Sequence, residues 1–243
     1  MPLHFLLDEP AHALPGDDVV LTGAEAHHAA TVRRVRTGEE VTVGDGAGTW
    51  LAGECTSVTP REVVVRVTSR RTVPAPVPRI TLVQALAKGD RDELAIQAAT
   101  ELGVDTIVPW HAARSVSRWD AAKAEKGRAR WATIVREAAK QAHRAWVPAV
   151  DAVQTTKQLV GRADSTRMVI LEPRASIALT SCDLSDASDI VLVVGPEGGI
   201  ADEELALFTA SGATLVRLGE TVLRTSTAGP AALAVISAAL GRW

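Results

Sequence analysis

Two glycine-containing segments near the C-terminus hold the residue types best suited to a ligand site. The first runs from Val191 to Ile200 and contains Gly195-Pro-Glu-Gly-Gly199. The second runs from Leu218 to Ala228 and contains Val222-Leu-Arg-Thr225. Each has the pattern of a strand, a glycine turn and a helix start, and such turns lie where a parallel sheet opens to a ligand. Together they predict one site formed by two neighbouring loops.

The chemistry of the ligand is narrowed by what these segments lack. No Gly-Lys-Ser/Thr follows Gly199, which excludes a Walker phosphate loop, and the Gly-x-Gly-x-x-Gly spacing of a dinucleotide fold is missing. A main-chain-lined turn without a cation favours an uncharged or zwitterionic ligand over a triphosphate. The second segment adds Arg224, followed by Ser226 and Thr227, whose hydroxyls we expect to cap the next helix.

Other common catalytic signatures are missing. None of the six histidines forms a pair with zinc-motif spacing, so the sequence predicts no catalytic metal. Cys55 and Cys182 have no metal spacing either, and we expect both to be reduced and buried. No apolar run approaches a membrane span, and the N-terminus lacks the basic start of a signal peptide. These patterns predict a cytoplasmic protein without a membrane partner.

The elements that must position the two segments change character at a proline-rich stretch, Thr72-Val-Pro-Ala-Pro-Val-Pro78. Before it, β-like runs surround one predicted helix, Ala24–Arg34, and Asp45–Gly48 predicts a hairpin turn. The predicted strands of this part are Leu3–Leu7, Val19–Leu21, Glu40–Val43, Thr49–Cys55 and Glu62–Val67. We therefore predict a small mostly-β domain over residues 1–72 and a linker over 73–79.

After the linker, strands and helices alternate, which is typical of an α/β domain with a parallel sheet. We place this domain at residues 80–243. Its predicted strands are Ile80–Leu86, Thr106–Pro109, Met168–Leu171, Ile190–Val194 and Thr214–Leu218. The first predicted helix starts with Asp90 as its cap and ends at Gly103. The other predicted helices are Ala121–Ala145, Ala201–Ala210 and Ser226–Leu240.

Charge is distributed unevenly along the chain. Residues 61–150 hold 16 Lys and Arg against 9 Asp and Glu, whereas the net charge of the whole chain is −3. Within this basic part, the Ala121–Ala145 helix has an apolar stripe through Trp131 and Val135. Arg136, Lys140 and Arg144 follow at intervals of four on the opposite face. This face has two interpretations, a solvated surface or a contact for nucleic-acid phosphates.

The motifs taken in order resemble the RsmE family of ribosomal RNA methyltransferases, within the SPOUT class. The resemblance covers nearly the whole chain. It rests on Lys88-Gly-Asp-Arg-Asp-Glu-Leu94, Ala98–Val104, Arg136–Gln141, Leu171-Glu-Pro173, Gly195–Gly199, Leu218-Gly219 and Val222–Thr225, and in the N-terminal part on His28, Val32–Arg36 and Gly44–Gly46. Ser226 stands where many members have Glu, and His4 where many have Arg.

The resemblance implies an S-adenosylmethionine-dependent transfer of methyl to N3 of one uridine in 16S ribosomal RNA. It implies a SPOUT-type parallel sheet with a C-terminal trefoil knot, a small N-terminal PUA-like β-barrel domain, and a homodimer. Carried over by position, the cofactor-binding residues are Leu171, Glu172, Gly195, Pro196, Glu197, Gly199, Ile200, Leu218, Leu223, Arg224, Thr225 and Ala228.

The expected RNA partner is 16S ribosomal RNA, in an assembled or partly assembled small subunit, since the target base must leave its stack. RNA-binding candidates are His28, Arg33, Arg34, Arg36, Lys88, Arg91, Arg136, Lys140 and Arg144. Arg224 is the catalytic candidate, because a cation stabilises the charge that develops on uracil. Alternatives are a related methyltransferase acting on transfer RNA or another ribosomal base, and a non-catalytic RNA-binding assembly factor.

Overall fold

The chain folds into two compact units. The computed structural model describes residues 1–7, 12–184 and 186–243. Unit 1 comprises Met1–Ala75 and Ala139–Val147, and unit 2 comprises Pro76–Ala138 and Pro148–Trp243. Residues 139–147 fall inside the second predicted domain, yet their contacts group them with the N-terminal part of the chain.

Unit 1 is built on a five-stranded sheet. Its strands are β1 (Leu3–Leu6), β2 (Asp18–Thr22), β3 (Glu40–Gly44), β4 (Thr49–Val58) and β5 (Glu62–Thr72). They lie in the order β1-β3-β4-β5-β2, with β1 parallel to β3 and the other neighbours antiparallel. Val63, Val65 and Val67 are buried on one face, as their alternation predicts. The predicted strands are therefore confirmed, with longer β4 and β5.

The β3–β4 connection is the predicted hairpin turn. The Asp45 carboxylate accepts hydrogen bonds from the backbone N–H groups of Ala47 and Thr49, at 2.8 and 3.0 Å. Gly46 and Gly48 have φ angles of +69° and +102°, a region that L side chains rarely adopt. Two glycines at these positions let the chain reverse within a few residues.

The predicted Ala24–Arg34 helix is replaced by two shorter pieces. An α-helix, α1 (Gly23–His27), continues into a π-helical turn over His28–Val32. Arg34 then takes a left-handed conformation with φ +56°. Arg34 therefore lies beyond the helical segment, in the irregular stretch between the π-helical turn and β3.

The stretch over residues 139–147 corrects the prediction of a helix to Ala145. Helix α3 (Ala121–Gln141) ends four residues earlier, and His143 has a φ of +53°. Trp146 then pairs with Ala47 and donates its ring N–H to the carbonyl of Val73. The end of α3 and its continuation thus complete the packing of unit 1.

Lys140 corrects the prediction of a uniformly exposed cationic face. Its ammonium lies 2.8 Å from the Glu25 carboxylate, and the two side chains are only 6% and 13% exposed. Burial of a lysine is tolerated when an opposite charge lies beside it. Helical spacing predicted Lys140 on the outer face. It could not reveal Glu25, because that partner is 115 positions away in the chain.

Both cysteines are free thiols, but only Cys55 is buried as predicted. Burial, followed by the nearby Glu39 and Glu54, raises the pKa of the Cys55 thiol to about 11. Cys182 is half-buried, which corrects the expectation that both would lie in the core.

Unit 2 contains a parallel sheet in the order β11-β13-β10-β12-β6-β7-β8, with β9 also paired to β7. The strands are β6 (Arg79–Ala85), β7 (Thr106–His111), β8 (Ala149–Val150), β9 (Gln154–Thr155), β10 (Arg167–Leu171), β11 (Ile177–Ala178), β12 (Asp189–Val194) and β13 (Thr214–Arg217). The five predicted strands of this domain are present with shifts of one or two residues at their ends. The three short strands β8, β9 and β11 were not predicted.

The helices of unit 2 are α2 (Arg91–Glu101), most of α3, α4 (Thr156–Val160), α5 (Asp202–Ala210) and α6 (Thr225–Ala239). Asp90 stands at the start of α2 but forms no side-chain cap, contrary to the prediction. Asp92 instead accepts a hydrogen bond from the backbone N–H of Ala87 at 3.1 Å. On α3, Trp131 and Val135 are buried, as the apolar stripe predicts. Within the described residues, no helix has the length and apolar character needed to cross a membrane.

The strand order determines where a ligand can enter unit 2. From β6 the chain passes to β7 and β8 on one side, whereas β12, β10 and β13 lie on the other side. In a parallel sheet, such a switch of direction opens a crevice at the carboxyl ends of the strands. The glycine-containing turns of both segments begin there, at Gly195 directly after β12 and at Leu218 directly after β13.

Candidate functional site

A cavity of about 400 Å³ lies at the carboxyl ends of β10, β12 and β13. All twelve residues predicted to bind the cofactor line it. Sequence reasoning assigned no cofactor role to seven further lining residues, although most adjoin the predicted ones: Arg91, Pro173, Val194, Arg217, Gly219, Thr221 and Val222. The structure thus brings three separate loops of unit 2 to one pocket.

We call residues 195–200 the glycine turn, and glycine is required in it for two different reasons. A Cβ on Gly195 would lie 2.7 Å from the Ile200 side chain, so packing inside the turn leaves no room for one. Gly199 has open space around it but a φ of +72°, which strains any L side chain. The turn is therefore specified by sterics at one end and by backbone conformation at the other.

Glu197 connects the glycine turn to the start of α2. Its Oε1 accepts hydrogen bonds from the Lys88 backbone N–H at 3.2 Å and from the Arg91 guanidinium at 2.9 Å. Burial acts to raise the pKa of Glu197. Hydrogen bonds from its own backbone N–H, from Lys88 and from Arg91 outweigh burial, so the pKa lies below its ordinary value. The carboxylate is ionised at neutral pH and anchors the turn.

Further contacts hold the end of the glycine turn. Glu204 is buried and accepts hydrogen bonds from the Thr156 hydroxyl at 2.7 Å and the Ala113 backbone N–H at 2.9 Å. Its other oxygen accepts the Ala201 N–H, at the start of α5. The Arg114 guanidinium donates to the carbonyl oxygens of Gly198 and Ile200, each at 3.4 Å. Both ends of the turn are thus tied to neighbouring loops.

We call residues 218–224 the arginine segment, which forms the opposite wall. Arg224 is exposed, lines the cavity and occupies the N-cap position of α6. In the described part of the chain its guanidinium forms no hydrogen bond or ion pair. Ser226 and Thr227 do not cap α6, which corrects that prediction. The buried hydroxyl at this helix start belongs to Thr225.

Glu172 closes the third side of the pocket, directly after β10. It is 6% exposed, and its Oε1 accepts hydrogen bonds from the backbone N–H and the Nε of Arg174, at 3.0 and 2.8 Å. Arg174 also contacts Asp202 at 3.1 Å. An oriented carboxylate at the wall is suited to accept hydrogen bonds from the hydroxyl or amino groups of a ligand.

The RNA-binding candidates are found in both units. In unit 1, the Arg33, Arg34 and Arg36 side chains are exposed next to the π-helical turn, whereas His28 and Arg144 are half-buried and Lys140 is buried. In unit 2, Lys88 is exposed beside the pocket, Arg91 pairs with Glu197, and Arg136 is half-buried on α3. Only Lys140 is too enclosed to contact phosphate.

Comparison with known proteins defines the class. The family model described as RNA methyltransferase domain matches residues 73–237, and the one described as RNA methyltransferase PUA domain matches residues 21–68. The parallel sheet with its pocket and the small β unit are therefore those of an RNA methyltransferase with a PUA domain.

Individual relatives narrow the class to a family. Ribosomal RNA small subunit methyltransferase E of Mycobacterium bovis is 44% identical over 94% of this chain and 89% of its own length. The Bacillus subtilis protein of the same name is 35% identical over 89% of this chain and 88% of its own length. The crystal structure of the Neisseria gonorrhoeae enzyme of that name, bound to S-adenosyl methionine, has a TM-score of 0.87 and 30% identity, with 98% of each chain covered. The chain belongs to the RsmE family, and the predicted fold class is confirmed.

Proposed function

We propose that this protein transfers a methyl group from S-adenosylmethionine to N3 of one uridine in 16S ribosomal RNA. The observation that carries the proposal is the pocket of unit 2, in a chain of the RsmE family. Arg224, which has no side-chain partner among the described residues, lines this pocket together with the glycine turn. The N3 position and the particular uridine follow from the family resemblance.

The pocket residues fit the proposed cofactor. S-adenosylmethionine, when bound, supplies a methyl group already activated on a sulfonium. Gly195, Pro196 and Ile200 line the cavity, so that a ligand can approach the main chain of the glycine turn closely. The carboxylates of Glu172 and Glu197 at the wall suit a ligand with a positive centre and with amino and hydroxyl groups. Two carboxylates at the wall do not suit a triphosphate.

Arg224 is the proposed catalytic residue. Loss of the N3 proton spreads negative charge over O2 and O4 of uracil, and a fixed cation stabilises that charge as it develops. The guanidinium is available for this role because it forms no ion pair or hydrogen bond with another described residue. The other cations at the pocket, Arg91 and Arg217, donate to Glu197 and to the carbonyls of Ala175 and Ser176.

RNA binding is proposed for cations of both units. Arg33, Arg34 and Arg36 are exposed directly after the π-helical turn of the PUA-like unit, and π-helical turns often mark functional positions. Lys88 and Arg91 are proposed to contact the phosphates next to the target base, because Arg91 lines the cavity and the Lys88 backbone bonds Glu197 of the glycine turn. His28, Arg136 and Arg144 are secondary candidates because they are half-buried.

The remaining features of the proposal come from the family resemblance. We place the protein in the cytoplasm as a homodimer, acting on a small ribosomal subunit that is assembled or partly assembled. The target base has to be unpaired or flipped to reach the pocket, and a folded subunit presents it in a defined position.

The experiment that tests the function is methylation of small ribosomal subunits that lack the modification. Purified protein and S-adenosylmethionine are incubated with the subunits, and the nucleosides are analysed by mass spectrometry. We expect 3-methyluridine in 16S ribosomal RNA, and none in a reaction without S-adenosylmethionine. Methylation of transfer RNA alone would favour the related-enzyme alternative. No calorimetric S-adenosylmethionine binding and no methylation would favour the non-catalytic assembly factor.

A further inference from the structure

One buried side chain beside the pocket has no role in the function proposed above. Gln84 is the next-to-last residue of β6 and is 0% exposed. Its Nε2 donates hydrogen bonds to the Ala85 carbonyl at 3.1 Å and to the Thr225 hydroxyl at 2.9 Å. Its Oε1 is buried and has no hydrogen-bond partner in the described part of the chain.

The Thr225 hydroxyl continues this chain of hydrogen bonds. It accepts from Gln84 and donates to the Gly195 carbonyl at 2.8 Å. A hydroxyl has one proton to donate, so both polar neighbours are satisfied in a single arrangement. Gln84, Thr225 and Gly195 thus join the end of β6, the start of α6 and the start of the glycine turn.

The orientation of the Gln84 amide follows from its neighbours. If the amide were reversed, Oε1 would face the Ala85 carbonyl oxygen, and two acceptors would oppose each other. The observed orientation therefore directs the amino group toward Thr225. It leaves Oε1 unsatisfied, which costs free energy that an apolar side chain would avoid. The hydrogen bond from Gln84 to the Thr225 hydroxyl therefore explains why a glutamine, rather than an apolar residue, occupies this core position.

The sheet makes Gln84 a firm point of attachment. Strand β6 has neighbours on both sides, and Gln84 lies opposite Val194 of β12 and Pro109 of β7. Because Val194 is paired with Gln84, the glycine turn begins at the next residue, close to Gln84. A group held on a central strand keeps its position better than a group on a loop.

Close packing of α6 brings Thr225 within reach of Gln84. Side chains two apart in a strand share a face, so Leu82 and Gln84 point to the same side of β6. Helix α6 packs on that side, because a Cβ on Gly229 would lie 3.3 Å from Leu82 and 3.4 Å from Val194. The glycine lets the helix approach the sheet, and the first turn of α6 carries Thr225 to the amide.

We propose that Gln84 is a positioning residue for methyl transfer, and that it acts through Thr225 to hold the glycine turn and the arginine segment at a defined separation. This inference rests on the proposed function, since the separation matters only if both loops contact S-adenosylmethionine. Gln84 does not line the cavity and touches no ligand there. Its effect is to pre-organise the two walls, so that binding need not order them.

The test uses the full-length protein and four variants. Gln84→Leu and Thr225→Val each break the chain of hydrogen bonds, Thr225→Ser preserves the hydroxyl, and the fourth variant combines Gln84→Leu with Thr225→Val. We expect about tenfold weaker S-adenosylmethionine affinity by calorimetry for each single disruption, the effect of one buried hydrogen bond. Thr225→Ser should stay within about twofold of the unmodified protein. The double variant should lose about tenfold rather than a hundredfold, because the two groups act together.

A matched control separates positioning from stability. Thr100 is also a buried threonine of unit 2, and its hydroxyl donates to the Ile96 carbonyl of its own helix at 2.7 Å. Thr100→Val should lower the melting temperature and leave S-adenosylmethionine affinity unchanged. If Gln84→Leu behaves like Thr100→Val, or if the double variant shows multiplied losses, the positioning role is overturned.

A measurement without the cofactor distinguishes this inference from the proposed function. The Gly199 N–H is bonded to the Pro196 carbonyl and the Thr227 N–H to the Arg224 carbonyl. Hydrogen exchange at these two amides should accelerate in Gln84→Leu and not in Thr100→Val. Unchanged exchange shows that Gln84 does not hold the two loops, and overturns the inference even if methylation is observed. Accelerated exchange in a protein that binds no S-adenosylmethionine shows that Gln84 holds the two loops and overturns the proposed function instead.

Discussion

The two walls of the pocket are constructed differently. The glycine turn is anchored on several sides, through Glu197 to α2 and through backbone carbonyls to Arg114 and Thr225. In the arginine segment, Thr221, Val222 and Arg224 are exposed, and the Arg224 guanidinium forms no bond with a described residue. A fixed wall defines the shape of a ligand, whereas an open edge can meet a second molecule. The difference indicates that one segment contributes shape and the other contributes charge.

The largest expected effect concerns the charge of the open edge. Arg224→Ala should lower kcat about 10²–10³-fold, the usual loss when a group that stabilises developing charge is removed. S-adenosylmethionine affinity should change little, because the main chain of the segment remains. Steady-state methylation kinetics and calorimetry measure the two quantities separately.

An arginine away from the pocket provides the control for this substitution. Arg128 is half-buried on α3 and pairs with Glu125, and Arg128→Ala should leave kcat unchanged. If Arg224→Ala retains full turnover, or loses cofactor affinity instead of kcat, then Arg224 does not stabilise the charge that develops on uracil.

The second prediction concerns the shape of the fixed wall. Gly199→Ala places a Cβ on a residue with φ +72°, and the left-handed conformation costs an L-residue roughly 1–2 kcal/mol. The turn should relax away from its present form, and S-adenosylmethionine affinity should fall about tenfold. Calorimetry is the measurement, with kcat at saturating cofactor expected to fall much less.

The matched control is Gly161→Ala. Gly161 follows α4 with a φ of −65°, where an alanine is unstrained. This substitution should not alter cofactor affinity. Equal affinities for Gly199→Ala and the unmodified protein would show that the turn contributes no specific shape.

The smallest effect concerns the anchor of the glycine turn. Glu197→Gln removes the charge that Arg91 faces, and at pH 7 it should lower the free energy of unfolding by no more than about 1 kcal/mol, because both groups are partly exposed. The pKa of Glu197 lies below its ordinary value near 4.5. Its contribution is therefore present above that value and is lost as the pH falls through the lowered pKa.

Urea unfolding at several pH values measures this contribution. The difference between the unmodified protein and Glu197→Gln should be constant above about pH 5 and shrink on further acidification. Glu101→Gln, an exposed substitution at the end of α2, should show no such difference. A difference that grows with acidification would contradict the proposed anchor.

Sequence patterns predicted the local features of the site. The order of glycines, apolar runs and Arg224 placed both segments after buried strands, and the structure has both there. Local signals succeeded because strand period, glycine preference and turn formation depend on neighbours along the chain. The predicted end of α3 was wrong, since residues 139–147 pack within unit 1 and the helix ends at Gln141.

The sequence by itself determined an α/β domain with two glycine-containing loops, preceded by a small β domain, and the order of motifs indicated an RsmE-type methyltransferase. Only the tertiary structure decided that Lys140 is buried against Glu25 and that Gln84 bonds Thr225, across 115 and 141 positions. Such bonds depend on which strands and helices become neighbours, and residue spacing carries no information about distances across the fold. For the same reason, Arg224 could be singled out from the sequence, but its lack of a partner among the described residues appears only in the folded chain.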